Sequence, residues 1–263
     1  MKRIKRLLTL LCVISIMSIL LTGCGKEVEM IRGNTAEEVL ESFNKYNVEN
    51  NIEEMVKLYS DEYIDYIGYD ANKIIKMIKS NRKDATINSS TTKSVEDINE
   101  NLKKAVVNIN AVINGEESNE DYVYALIKED NGWSISPDGI SECINFNVPA
   151  NKEKELNLNL MKEAVLFDGA LIRVDLYNDT SNSYTFGTEN DKTQIIVETT
   201  EGTFTSEVEE PQEINKRVKS YFIAKIQDLK GDIKKVTVTS IYDLDKDGNV
   251  IADSKRDIVA YNK

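Results

Sequence analysis

The spacing of apolar residues splits the chain into a short helical region and a much longer region of strands. After Thr35-Ala36-Glu37-Glu38, which has the order of a capping box, the residues Val39, Leu40, Phe43 and Tyr46 recur at helical spacing. A second short helix reads through Ile52, Met55, Val56 and Tyr59, and a third spans about Asp70 to Ser80, with Ile74, Ile75 and Ile78 on its apolar side. The period then falls to two: Val107, Ile109, Ala111 and Ile113 alternate with Asn108 and Asn110. Tyr122 to Lys128 reads as the next strand, Asn131-Gly132 as a hairpin turn, and Trp133-Ser134-Ile135 as the start of the return strand. Helices followed by a meander of strands predict an α+β domain over residues 35–136.

Beyond this the pattern is strand after strand. Leu156-Asn157-Leu158-Asn159-Leu160 and Ile172-Arg173-Val174-Asp175-Leu176 alternate cleanly, and the second runs into the turn Tyr177-Asn178-Asp179-Thr180-Ser181. Further strands are expected at Thr193 to Thr199, Tyr221 to Ile226, Ile233 to Tyr242 and Asn249 to Tyr261. Short strands with turn signals at this spacing predict an all-β sandwich over residues 151–263. Pro137, Asp138-Gly139 and Pro149 place a linker at 137–150.

Two resemblances follow from these orders. The first region, with Leu126-Ile127-Lys128-Glu129-Asp130-Asn131-Gly132-Trp133-Ser134-Ile135 as a strand, an acidic-Gly turn and a Trp strand, resembles the nuclear transport factor 2-like superfamily. That likeness implies a cone-shaped α+β roll with a pocket. The second region resembles the immunoglobulin-like domains of surface lipoproteins, in which a Val-rich strand enters an Asn-rich turn. The Cys–Trp–Cys core of antibody domains is not present in the sequence.

The start of the chain carries a different signal. Lys2, Arg3, Lys5 and Arg6 precede an apolar run from Leu7 to Leu21, which falls short of the roughly 20 residues that span a bilayer. A basic start, a short apolar stretch and a small-residue site form a secretory signal over residues 1–23. Leu21-Thr22-Gly23-Cys24 resembles the lipobox of bacterial lipoproteins. The resemblance implies that Cys24 is acylated and becomes the first mature residue, followed by a polar tether over 24–34. Acyl chains on Cys24, each buried CH2 contributing about 0.8 kcal/mol, would hold the protein on a membrane. The expected location is the outer face of the cytoplasmic membrane. The frequent Lys, Ile and Asn favour an AT-rich genome and a Gram-positive-like envelope.

Composition narrows the chemistry. The formal net charge is −12, and the leader's four basic residues make the remainder more acidic still. Such a surface does not fit nucleic acid, whose binding depends on cations that displace counterions. There is no histidine, so Ser-His-Asp, Cys-His and His-metal arrangements are excluded. Of the three cysteines, Cys12 lies in the leader and Cys24 in the lipobox; only Cys143 remains, so no intramolecular disulfide is expected.

Two constellations remain. Asp243, Asp245, Asp247 and Asn249 place oxygens at alternate positions around Gly248, as a calcium loop does. The twelfth position of that pattern holds Ser254, with Asp253 the nearest acid. The same residues also read as a polar hairpin with Asp247-Gly248 at its turn. No other cofactor is indicated. Tyr63, Tyr66 and Tyr69, interspersed with acids, are pocket candidates in the first domain; the alternative is that they cover a junction with their apolar bodies inward. No carboxylate can be assigned a catalytic role. The sequence therefore reads as a lipid-anchored, non-catalytic binding or envelope-assembly module with an envelope protein or wall component as partner. The alternative is an enzyme or small-ligand binder using the first domain's pocket.

Overall fold

The computed structural model describes residues 28–146, 156–208 and 210–263, so the leader and Cys24 lie outside the described residues. The chain divides into two compact units, one ending at Ser141 and the other starting at Glu142. The fold is β-rich, with a few helices confined to the first unit. Among the described residues no helix is long and apolar enough to cross a membrane.

The first unit runs α1 (Ala36–Val48), α2 (Ile52–Lys57), α3 (Asp61–Ile67) and α4 (Ala71–Asn81). It continues as β1 (Ala85–Asn99), β2 (Leu102–Ile113), β3 (Glu116–Glu129) and β4 (Gly132–Ser136), an antiparallel sheet in sequence order. Each helix starts on a side-chain cap: Thr35, Asn51, Ser60 and Asp70 accept from backbone N–H groups of the first turn. Such a cap contributes about 1 kcal/mol. The expected capping box is present, with Glu38 Oε2 accepting from the Asn34 amide one residue earlier than the ideal. Val39, Leu40 and Phe43 of α1, Ile52 and Met55 of α2, and Ile74 and Ile75 of α4 pack on Val107, Tyr124, Leu126, Trp133 and Ile135 of the sheet.

Two elements here depart from the sequence reading. Helix α3 occupies the tyrosine-rich stretch, capped by Ser60 and ended by Gly68 in a left-handed conformation (φ 70°). Strand β1 carries no apolar alternation because it is an edge strand, exposed along most of its length. It docks on α1 through polar groups: Asn47 Nδ2 donates to Ser90 Oγ (3.3 Å), Ser90 to Asn44 (2.7 Å), and Asn44 to Thr92 (3.0 Å).

The segment expected as a tether is docked from Val28 onward. Val28 and Met30 pack on the core, and Gly33 exchanges backbone hydrogen bonds with Trp133 (2.8 and 2.9 Å). Arg32 clamps this segment down. It pairs with Asp61 (2.7 Å) and with Glu129, and donates to the Tyr59 carbonyl (3.2 Å).

The second unit holds two antiparallel sheets around one core. One sheet has the order β12 (Lys219–Gln227), β7 (Gly169–Tyr177), β6 (Asn157–Leu166), β5 (Glu142–Asn145). The other has the order β10 (Thr203–Glu207), β9 (Gln194–Thr199), β13 (Ile233–Leu244), β8 (Ser183–Phe186), β11 (Gln212–Ile214), with β14 (Arg256–Asn262) also paired to β13. Leu158, Leu160, Ile172 and Val174 of the first share a core with Ile195, Val197, Val236 and Val238 of the second. Within the expected linker, Pro137–Gly139 is a 3-10 turn and Glu142–Asn145 is β5, while residues 147–150 are outside the described residues. The expected final strand from Asn249 begins only at Arg256, after a turn and a 3-10 segment at Ala252–Ser254.

A register shift between Leu160 and Lys162 puts Glu163 opposite the core residue Ile172, and Glu163 is 8% exposed. Burial, reinforced by the charges of Glu142 and Asp232, pushes its carboxyl up from 4.5 to about 7. Between those values the folded chain holds a proton that the unfolded chain has lost. Stability therefore falls as pH rises through this window and levels off above it. Glu163→Gln should be more stable than the parent at pH 8 by about 1–3 kcal/mol and close to it at pH 4.5. Urea melts at the two pH values check this; a difference independent of pH would show that Glu163 does not titrate in the window.

Candidate functional site

The helices of the first unit do not fill the whole apolar face of its sheet. A cavity of about 160 Å³ remains. Its carbon walls come from Phe43 of α1, Ile78 of α4, Ile87 of β1, and Ile109 and Ala111 of β2. Strand alternation brings Tyr122 and Tyr124 of β3 to the same side. Tyr59 and Tyr63 complete a group of four rings. Phe43 meets Tyr124 edge to face at 5.0 Å, and Tyr59 meets Tyr63 the same way at 5.1 Å, so the rings brace one another.

The polar lining is sparse: Asn81, Arg82 and Asp138. Arg82 follows α4 as its C-cap, and one guanidinium nitrogen, Nη1, is buried with no hydrogen-bond partner. A buried donor left unmet costs about 1–3 kcal/mol, more when charged. Asp138 sits in the Pro137–Gly139 turn at φ 60°, a left-handed conformation that Asp tolerates better than most residues. Burial raises the Tyr124 phenol well above its usual range; the charges of Tyr59 and Asp138 add to this and Arg82 opposes it. Tyr124 therefore stays protonated at neutral pH. The chamber offers apolar surface, phenol rings, one cation and one carboxylate.

Of the three tyrosines expected at a pocket, Tyr63 lines the chamber, and Tyr66 and Tyr69 do not. Tyr66 is buried at 4% exposure, and Tyr69 lies beyond the Gly68 cap with the Lys73 ammonium 3.5 Å above its ring. The sequence reading missed Tyr122 and Tyr124, although their strand alternation was visible. It had no signal for Arg82, a lone basic residue at a helix end.

The aspartate loop forms a turn closed on itself. Asp245 Oδ1 accepts from the amides of Asp247 (2.8 Å) and Asn249 (2.9 Å), which, with the Asn249 side chain, holds its carboxyl below the usual range. Asp243 pairs with Arg256 at 2.8 Å, and Asp253 lies in the 3-10 segment. Among the described residues no group of three acidic or thiol side chains is placed to hold a metal.

The second unit has an open, polar cavity of about 500 Å³ around Asp191, Ser240, Lys255 and Asp257. Lys255 and the Tyr242 hydroxyl, with a smaller contribution from Ser240, hold Asp191 below its ordinary value. These groups satisfy one another.

No protein-family model matches this chain, and no curated protein matches it in sequence.

The loop geometry makes a definite expectation for metal. Calcium at 1 mM should leave the melting temperature unchanged against chelator, because Asp243 and Asp245 already have partners. A rise of several degrees that Asp245→Asn abolishes would instead establish a calcium site.

Proposed function

We propose that the protein is a lipid-anchored, extracytoplasmic binding module: acyl chains on Cys24 hold it to the membrane, and its first domain receives a small ligand. The observation that carries the binding part is the ring-lined chamber, whose walls supply shape and apolar surface. The order of helices, four-stranded sheet and chamber supports the likeness of the first domain to nuclear transport factor 2-like rolls. Two sheets around one core support the immunoglobulin-like likeness of the second. Fold alone assigns no activity.

The anchor and the docked segment together constrain placement. Val28, four residues after Cys24, packs on the core. At no more than about 3.6 Å per residue, the first domain is held within about 15 Å of the acylated position. The domain rides close to the headgroups, and its acidic body is kept there by acyl chains and not by charge.

A second reading, an envelope-assembly subunit, is favoured by β1. This edge strand has exposed Val95 (38%) and Ile98 (44%), and an unpaired edge is a template for another chain.

Two measurements separate these readings. In a Gram-positive host the parent should fractionate with membranes, and Cys24→Ser protein should appear in the medium; retention of the variant in the membrane would remove the anchor. Saturating toluene, a one-ring apolar probe, should raise the melting temperature by a few degrees, as any ligand of the folded state does. No rise would remove the small-ligand reading and leave assembly through β1.

A further inference from the structure

We infer that the chamber takes a small carboxylic acid whose body is one ring or one branched chain, and that Arg82 receives its carboxylate. The inference rests on the chamber being a ligand site and goes further by naming the ligand's chemistry.

Size sets the body. A cavity of about 160 Å³ is close to the roughly 150 Å³ of an engineered apolar cavity that holds benzene. The walls at Phe43, Ile87, Ile109 and Tyr124 favour carbon over charge.

Arg82 sets the head group. Arg32, Arg173 and Arg256 each lie against a carboxylate of the chain, whereas Arg82 has an unmet guanidinium nitrogen. Its Nη1 is buried at the chamber with no hydrogen-bond partner. A guanidinium in that state is matched by a planar carboxylate, which accepts charge-assisted hydrogen bonds from the fork. Asp138 is the only carboxylate among the lining residues, and its charge and that of Arg82 both reach Tyr124. A second negative charge on the ligand would be repelled by Asp138 and stranded among carbon walls. That argues against phosphate monoesters and dicarboxylates and for a monoanion.

The test uses the full chain in lipid nanodiscs, where no detergent competes for the chamber. Phenylacetate, its neutral counterpart phenylacetamide, and toluene are titrated calorimetrically at pH 7. Phenylacetate should bind about tenfold or more tightly than phenylacetamide. Arg82→Gln should erase that preference and leave toluene binding unchanged. Arg82→Lys, which keeps the charge but not the fork, should retain part of it and serves if the glutamine variant fails to fold. Asp138→Asn should tighten phenylacetate about threefold. Equal binding of acid and amide by the parent, or a preference that survives Arg82→Gln, overturns the proposal. If toluene binds and phenylacetate does not, the acid proposal falls and the chamber reading stands; if none of the three binds, both fall.

Discussion

A four-stranded sheet with one apolar face must have that face removed from water, and most of the first unit follows from this requirement. Ala105 and Val107 of β2, Tyr124 and Leu126 of β3, and Trp133 and Ile135 of β4 share one face, and the apolar stripes of α1, α2 and α4 cover them. Burial of aliphatic and aromatic side chains contributes about 25 cal/mol per Å², so incomplete cover carries a cost. The cover is nevertheless incomplete. Ile78, Asn81 and Arg82, near the end of α4, line the chamber that remains. Rings that brace one another edge to face keep it open, since a collapsing wall would have to move several of them together. Arg32 fixes the incoming segment: one guanidinium ties it to Asp61 at the start of α3 and to Glu129 at the end of β3.

The second unit solves a different problem, that of one strand serving two partners in series. The first half of β13 pairs with β9 and the second half with β8, while β14 runs along its other edge. At the changeover Ser240 takes φ 54°, and its backbone groups turn away from the ladder. They are recovered singly. The Ser240 amide donates to Asp257 (3.0 Å), and its carbonyl accepts from the Gly187 amide (2.9 Å) and the Thr193 hydroxyl (3.2 Å). The Ser240 hydroxyl donates to Asp191 (3.0 Å). The polar cavity around Asp191 is thus the scaffold of a strand switch, which accounts for its charged lining without a ligand.

Legibility in the sequence tracked apolar periodicity. Helices α1, α2 and α4 and strands β2, β3, β7, β9 and β13 bury one face and leave the other wet, so their residue types record their environment. Strand β1 escaped because Ser90 and Thr92 dock it through hydroxyls, and β10 and β11 are short edge strands with largely exposed residues. The chamber was half visible. Tyr63 was found from local density of tyrosine, yet density also pointed to Tyr66 and Tyr69, which sit elsewhere. Tyr122 and Tyr124 were readable from strand alternation. Arg82 and Asp138 were not, because a residue ending a helix and a residue inside a Pro-Asp-Gly turn meet only through the path of the whole chain.

The charge of the protein sharpens what the chamber can select. At a formal net charge of −12 the surface repels anions, so long-range steering does not bring a carboxylate in. At physiological salt that repulsion is screened beyond about 8 Å, and the interior contact is screened far less. The proposed recognition of an acid would then rest on local contact: the buried, unmet Nη1 of Arg82, against walls that reward an apolar body. For such a contact-dominated site, differences among ligands would appear mainly in their dissociation rates.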